Sequence, residues 1–180
     1  MKCTYQEITI REASPADAQQ LCEWWNDGSV MAHAGFPRGL GITVKKTIAQ
    51  ISDHSTKHYR HVIEYQGRLI GEMNYRETDP HICEIGIKIC DASMQNRGLG
   101  KIILSLFIDA LFREYGYQKI ILDTNLTNTR AQHVYEQLGF RKLRVNLGSW
   151  KDQLGNLQSS VDYELTEDSF ISFLAASGIQ

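Results

Sequence analysis

The feature that most constrains the fold is a change in the spacing of apolar residues around residue 98. Before it, apolar residues occupy every second position from 83 to 89, which is typical of a strand with one buried face. After it, they recur every three or four positions from 99 to 111, which is typical of a helix. The chain is therefore predicted to run from a strand, through a glycine-containing turn, directly into a helix.

The same two periodicities predict the remaining elements. Ser14 and Pro15 indicate a helix start, because serine caps helices and proline fits the first helical position. Residues 28–41 are rich in glycine, contain Pro37 and predict a long loop. Strands are predicted over 7–12, 61–65, 69–77, 82–89, 119–123, 141–150 and 160–165, and helices over 14–26, 44–54, 99–116, 129–138 and 170–176.

Length and charge limit the function classes. The 180 residues suit a single domain spanning 1–180. With 19 Lys and Arg against 21 Asp and Glu, the net charge of −2 lacks the basic surplus that nucleic-acid and membrane-surface proteins need. We expect a cytosolic protein with reduced cysteines, no membrane or nucleic-acid partner and no metal, since no signal-peptide pattern, bilayer-length apolar run or convincing ligand set occurs.

The turn at residues 95–101 indicates a phosphate site. Gly98 and Gly100 let a pyrophosphate approach the backbone at a helix start, where unpaired N–H groups and the helix dipole favour an anion. A turn without ligand is the simplest alternative. A dinucleotide site is another, with Asp123 about 25 residues further on as the ribose-binding acid. Ile103 stands where the third glycine of that fingerprint belongs, which disfavours it.

Paired motifs give the chain a resemblance to the GNAT family of acetyl-CoA-dependent N-acetyltransferases. Gln95-x-x-Gly98-x-Gly100 is followed, after the next strand, by a second motif that begins at Asn128 and ends Tyr135-Glu136-x-Leu138-Gly139-Phe140. The lead-in at Asp91 and the opening stretch at residues 10–17 are also similar to that family. The resemblance covers essentially the whole chain, in order.

The resemblance implies a three-layer α+β fold. Its central sheet would be mixed, mostly antiparallel and of about seven strands, splayed in the middle, with helices on both faces. The sheet would open beside 87–89, where the strand pairs with the pantetheine arm of the acetyl donor, acetyl-CoA. The coenzyme-binding residues that it implies are Ile87, Lys88, Ile89, Gln95, Asn96, Arg97, Gly98, Leu99, Gly100, Lys101, Asn128 and Tyr135.

The chemistry of acetyl transfer assigns the catalytic candidates. A carboxylate, alone or through a chain of water, can take a proton from the attacking ammonium, and a phenol can return one to the leaving thiolate. The resemblance implies that Tyr135 is this acid, although its place on an apolar helix stripe also fits a core residue. Glu84 is the candidate base because it faces opposite to the isoleucines of its strand, and Glu72 on the neighbouring strand is the rival.

The acceptor side is predicted less sharply. Trp24, Met31 and Phe36 cluster in the segment expected to line it, and we predict that they contact substrate. Residues 15–58 carry as many acids as bases, which favours an acceptor with one amine, such as a protein N-terminus, an amino acid or a small metabolite. Polyamine acceptors, a homodimer, a non-catalytic acyl-CoA sensor and a dinucleotide-dependent oxidoreductase stay open as alternatives.

Overall fold

The computed structural model describes residues 1–175. One sheet contains all eight of the strands in this range. The strands are β1 (Lys2–Tyr5), β2 (Ile8–Glu12), β3 (His58–Tyr65), β4 (Arg68–Asp79), β5 (Ile82–Ile89), β6 (Lys119–Asn125), β7 (Arg141–Lys151) and β8 (Leu157–Thr166). The α-helices are α1 (Ala18–Asn26), α2 (Gly28–Met31), α3 (Val44–Ser52), α4 (Leu99–Arg113) and α5 (Thr129–Gln137).

The sheet is mixed and opens in its middle. Its strand order is β1-β2-β3-β4-β5-β6-β8-β7. Every neighbouring pair is antiparallel except β5 and β6, which are parallel. These two strands pair only where Ile82–Glu84 meets Lys119–Ile121 and then diverge. The predicted fold class is confirmed, with β1 as the strand that the sequence pattern missed.

An apolar cluster covers each face of the sheet. On one face, α4 buries Ile103, Phe107 and Leu111 completely against the strands. On the other face, a smaller cluster joins α1 and α3 to the sheet through Leu21, Trp25 and other apolar residues. Helix α4 is buried along most of its length because its apolar positions spread beyond a single stripe. It starts at the glycine turn, so its packing fixes that turn beside β5.

The entry into α1 depends on a partly buried ion pair between Arg11 and Asp17. Pro15–Asp17 forms a short 3-10 turn before α1, and the backbone N–H of Ser14 donates to the Asp17 carboxylate at 2.8 Å. Arg11 on β2 donates two hydrogen bonds to the same carboxylate, each of 2.8 Å. This bidentate pair ties the start of the helical segment to the sheet.

Two predicted segments differ from the structure. The predicted loop at 28–41 contains α2 and a 3-10 turn at Ala32–Ala34. The helix predicted over 170–176 is wrong for residues 170–175, which are not helical, while Ala176 lies outside the described residues. The backbone N–H groups of Ile171 and Phe173 instead donate to the carbonyl of Leu138 and the hydroxyl of Ser105.

Two further findings concern the helices and the cysteines of the described residues. No helix among residues 1–175 is long and apolar enough to cross a membrane. Cys3, Cys22, Cys83 and Cys90 are free thiols, as expected. Burial raises the pKa of the Cys83 and Cys90 thiols to about 12, so both are protonated at neutral pH.

His61 makes the stability of the fold sensitive to acid. Its side chain is 1% exposed, packs on Tyr75 and Phe107, and leaves its Nδ1 without a partner. Burial lowers its pKa from 6.5 to about 4. Between these two values the unfolded chain binds a proton that the folded chain does not, so stability falls as pH decreases from about 6.5 to about 4.

We therefore expect His61→Phe to flatten the dependence of the unfolding free energy on pH in this range. Urea unfolding at several pH values measures it, and the parent should lose up to about 3 kcal/mol more than the variant. The exposed His133, changed to Phe, is the control and should keep the parent slope. Equal slopes for His61→Phe and the parent would contradict the explanation.

Candidate active site

A cavity of about 850 Å³ lies where β5 and β6 diverge, and we call it the central cavity. Its walls come from β5, the first turns of α4, one side of α5 along its length, the end of β6, the region of α2, and β7. All of the predicted coenzyme-contacting residues except Arg97 line it. Arg97 is exposed outside the wall.

The glycine turn forms one end of the central cavity. Gly98 has φ +76° and caps α4, and a side chain added at Gly98 would meet nothing within 4 Å. The first N–H groups of α4 have no partner within the helix and no side-chain cap at Gly98, so they are available as donors at this end of the cavity. Lys101 and Arg130 add full positive charges to the same wall. The turn can therefore hold an anionic group such as a pyrophosphate.

Side chains of the turn hold it in place. The Gln95 amide donates to the carbonyl of Ile89 at the end of β5, at 2.8 Å. Arg130 at the start of α5 donates to the Asn96 side-chain oxygen at 2.7 Å. Asn96 itself has φ +61°, a left-handed conformation that asparagine tolerates better than most residues. The turn is thus fastened to β5 on one side and to α5 on the other.

The free edge of β5 forms the long wall. Residues 85–89 pair with β4 on one side but not with β6 on the other, so their outer backbone groups face the central cavity. An extended ligand with amide groups can pair with such an edge as an added strand. Ile87 and Ile89 supply apolar contact, whereas the Lys88 ammonium is turned to Glu72 at 3.1 Å.

Helix α5 brings Asn128 and Tyr135 to the opposite wall. Asn128 caps the helix by accepting from the Ala131 N–H at 3.3 Å. Tyr135 is buried, packs on Phe140 and Tyr163, and also lines the central cavity. Its hydroxyl makes no hydrogen bond to any described residue. Burial, with a smaller effect from Asp123, raises its pKa to about 12, so the hydroxyl keeps its proton at neutral pH.

Asp123 is the one acid on the described wall of the central cavity. It lies on β6 and follows the point where that strand leaves β5. Asp123 is still exposed, but the partial loss of water contact at its position raises its pKa, and the carboxylates of Glu84 and Asp162 raise it further. The sequence motif had offered Asp123 only as a ribose-binding residue. Its place on the cavity wall results from the divergence of β5 and β6, which the periodicity of the sequence does not reveal.

The two glutamates proposed as bases are placed differently. Glu84 lies in the paired part of β5, outside the cavity wall, and its carboxylate accepts from Arg76 at 2.6 Å. Glu72 is 4% exposed and accepts from Lys88. Both carboxylates therefore already have a cationic partner, whereas Asp123 has none among the described residues.

The predicted acceptor-contacting residues do not reach the central cavity. Met31 is buried in the cluster beneath α1, Trp24 packs at the edge of the same cluster, and Phe36 is 37% exposed elsewhere. Their neighbours line the cavity instead: Ser29, Val30, His33 and Ala34. The segment around α2 therefore lines the cavity through residues other than Trp24, Met31 and Phe36.

Trp150 on β7 closes this end of the central cavity, and the sequence analysis did not single it out. A side chain added at Gly35 would meet the Trp150 ring at 2.5 Å, so the ring lies directly on that glycine. Gln153, in the turn after β7, fastens the contact. Its N–H donates to Gly35 at 2.8 Å, and its side chain bonds to the backbone of Arg38 and Gly39, each at 2.9 Å.

Comparison with known families decides what this geometry is for. The family description "Acetyltransferase (GNAT) domain" matches residues 7–141, which include the glycine turn, Asp123 and α5. The chain belongs to the GNAT acetyltransferase family. It is an acetyl-CoA-dependent N-acetyltransferase, and the glycine turn and the free edge of β5 fit the phosphate and amide groups of that donor.

Individual relatives agree with the family. The aminoglycoside N(6')-acetyltransferase type 1 of Klebsiella pneumoniae is 26% identical over 154 residues, which cover 75% of this chain and 74% of the relative. The spermidine N-acetyltransferase from Vibrio cholerae, solved with CoA and spermine, has a TM-score of 0.81 at 19% identity and covers 92% of this chain and 98% of its own. The ribosomal-protein acetyltransferase RimL, solved with coenzyme A, has a TM-score of 0.82 at 13% identity, with 94% and 99% covered.

We expect Gly98→Val to weaken coenzyme A binding while the fold persists. The side chain would occupy the space that the turn leaves open and would block donors to the phosphates. Calorimetry should show affinity reduced about ten- to hundredfold, since hydrogen bonds to charged groups contribute about 1.5–3 kcal/mol.

The matched control for this substitution is Gly116→Val. Gly116 has φ +71° and equally open surroundings, but it follows α4 and does not line the central cavity. It therefore reproduces the backbone strain without the blockage. Equal losses of affinity in both variants would show that strain, and not occupation of the phosphate space, explains the effect.

Proposed function

We propose that the acceptor of this N-acetyltransferase is a small molecule with one primary amine near Asp123, and that Asp123 and Tyr135 move the protons. The observation that carries the proposal is the single unpartnered carboxylate on the described wall of the central cavity, close enough to Tyr135 to raise its pKa. The coenzyme-binding residues proposed are those on the cavity wall in the glycine turn, β5 and α5.

Asp123 fits the role of the base. A primary amine arrives as an ammonium with a pKa of about 10 and must lose a proton before its lone pair can attack the thioester carbonyl. The raised pKa of Asp123 makes it a stronger base than an ordinary aspartate. In this proposal Glu84, our sequence-based candidate, raises the pKa of Asp123 from outside the cavity and does not touch the amine.

Tyr135 fits the role of the acid. When the amine nitrogen bonds to the acetyl carbon and the carbon–sulfur bond breaks, the leaving thiolate needs a proton. The Tyr135 hydroxyl is protonated at neutral pH and has no competing hydrogen bond to a described residue. A neutral phenol beside the sulfur would therefore supply the proton, and its phenolate would take back the second proton that the acylated nitrogen must lose, while protonated Asp123 releases the first to solvent. The free N–H groups of β5 would stabilise the developing charge on the carbonyl oxygen.

The charges around the acceptor end favour a single ammonium. Asp162 accepts from Arg144 at 2.7 Å, and Glu84 accepts from Arg76, so both negative charges are balanced. Asp123 alone is left to attract a cation, and the Trp150 ring on the same cavity wall offers an apolar face. An amino acid or a small aromatic or aliphatic amine matches this arrangement better than a polyamine.

The aminoglycoside acetyltransferase relative supports a second candidate, an acceptor with several amines. Its structural counterpart here is the proximity of Asp123, Glu84 and Asp162, whose charges raise the pKa of Asp123. Such an acceptor would have to displace Arg76 or Arg144 from its carboxylate.

Several expectations from the sequence stay predictions. These are the single domain, the cytosolic location, the homodimer, and the absence of a metal and of nucleic-acid and membrane partners.

We expect Asp123→Asn to lower kcat about 10²–10⁴-fold, the usual contribution of a general base, with acetyl-CoA binding retained. The acidic limb of the pH–rate profile should disappear with it. Glu84→Gln is the matched control: it should lower kcat much less and move that limb to lower pH, because it removes a negative charge that raises the pKa of Asp123. A larger loss of kcat in Glu84→Gln than in Asp123→Asn would instead identify Glu84 as the general base.

The acceptor class is tested by release of free coenzyme A with panels of amines. We expect amino acids and small monoamines to be acetylated with higher kcat/KM than spermidine, aminoglycosides or N-terminal peptides. A hundredfold preference for an aminoglycoside or a polyamine would contradict the single-ammonium proposal. Binding of acetyl-CoA without turnover on any panel would instead favour the sensor alternative.

A further inference from the structure

Residues 167–175 cross the outside of α4 and reach the glycine turn. They begin with a 3-10 turn at Glu167–Ser169, whose last carbonyl lies against Gly139, where an added Cβ would clash at 1.9 Å. The Phe173 N–H then donates to the hydroxyl of Ser105, a completely buried residue of α4, at 2.9 Å. The Ala175 N–H donates to the Tyr5 hydroxyl, also at 2.9 Å. We call residues 170–175 the C-terminal segment.

The C-terminal segment places an aromatic ring beneath a lysine of the coenzyme site. The Lys101 ammonium lies 4.5 Å from the centre of the Phe173 ring, which is within the range of a cation–π interaction. Lys101 is on the wall of the central cavity, in the first turn of α4. The ring occupies one side of the ammonium and makes no hydrogen bond to it, so its N–H donors stay available to an anion.

We propose that Phe173 is a positioning residue for coenzyme binding, acting by holding Lys101 at the phosphate end of the central cavity. The proposal rests on the assignment of that end to the phosphates. The lysine side chain is flexible, with a stem of four carbons. If a ligand must fix this side chain on binding, the lost conformational entropy weakens the affinity. The ring fixes the ammonium beforehand, so less entropy remains to be lost. The hydrogen bonds to Ser105 and Tyr5 fix the ring in turn.

The size of the effect follows from the interaction. Cation–π pairs at partly exposed sites contribute enough to change an equilibrium about two- to fivefold. We therefore expect Phe173→Leu, which keeps the apolar contact but removes the aromatic face, to raise the Kd for coenzyme A by about this factor. The KM for acetyl-CoA should rise in parallel, with kcat and the KM for the amine unchanged. Phe173→Trp, which keeps an aromatic face, should have the Kd of the parent.

A double-mutant cycle with Lys101→Met separates positioning from packing. If Phe173 acts through Lys101, Phe173→Leu should have no further effect on the Kd when residue 101 is methionine. Phe170→Leu is the matched control, because Phe170 belongs to the same segment but packs on Phe112, with ring centres 5.9 Å apart. It should leave the Kd for coenzyme A at the parent value. Circular dichroism and thermal unfolding of each variant check that the fold is retained.

Three results would overturn the proposal. An unchanged Kd for coenzyme A in Phe173→Leu would show that the ring does not affect binding. If Phe173→Leu raised this Kd equally in the parent and in the Lys101→Met background, the ring would act through packing and not through Lys101. A parent-like Kd in Lys101→Met would remove Lys101 from the phosphate site, and the positioning role would fail with it. Turnover of the parent enzyme is measured separately, so acetyl transfer itself can stand when the positioning role fails.

Discussion

The short parallel pairing between β5 and β6 is the constraint on which the rest of the molecule depends. Because the strands are held together only at Ile82–Glu84, everything beyond that point must separate, and the central cavity is the space between them. Helix α4 begins beside the open end of β5, and α5 begins beside the open end of β6. Both helix starts are thereby placed beside the same space, α4 with uncapped N–H groups and α5 with Asn128 as its cap.

The parts of the site that follow from local patterns were predictable. The glycine turn is recognisable because Gly98 needs a left-handed conformation at a helix start, and the distance along the chain from Gly98 to Asn128 follows from one helix and one strand. Likewise, strand alternation assigned Glu84 to the face opposite the isoleucines. Alternation does not reveal where two strands stop pairing, and so it could not distinguish Glu84, in the paired part, from a residue in the open part.

The acceptor wall was harder to predict because non-local contacts shape it. The path of residues 28–41 depends on close approaches that only glycine permits: an added Cβ at Gly28 would meet the Pro37 carbonyl, and one at Gly39 would meet the Asn26 carbonyl. The Asp27 side chain also caps α2 and sets its direction. None of these contacts is visible as periodicity. The non-helical path of residues 170–175 has the same origin, since its backbone donors bond to distant elements.

The position of Trp150 relative to the rest of the site has an evolutionary consequence. The donor half of the cavity is built from a nearly continuous stretch of chain, from β5 to α5, within the part that matches the family description. Trp150 and Gln153 lie beyond that match, on a hairpin fastened to Gly35–Gly39 by hydrogen bonds and by one ring. Under the proposed assignment of the cavity, substitutions in this hairpin would change the acceptor end and leave the residues proposed to bind the donor in place. In that case the two halves would be free to diverge at different rates, the donor half under the constraint of an unchanging ligand and the acceptor half able to adapt to new amines.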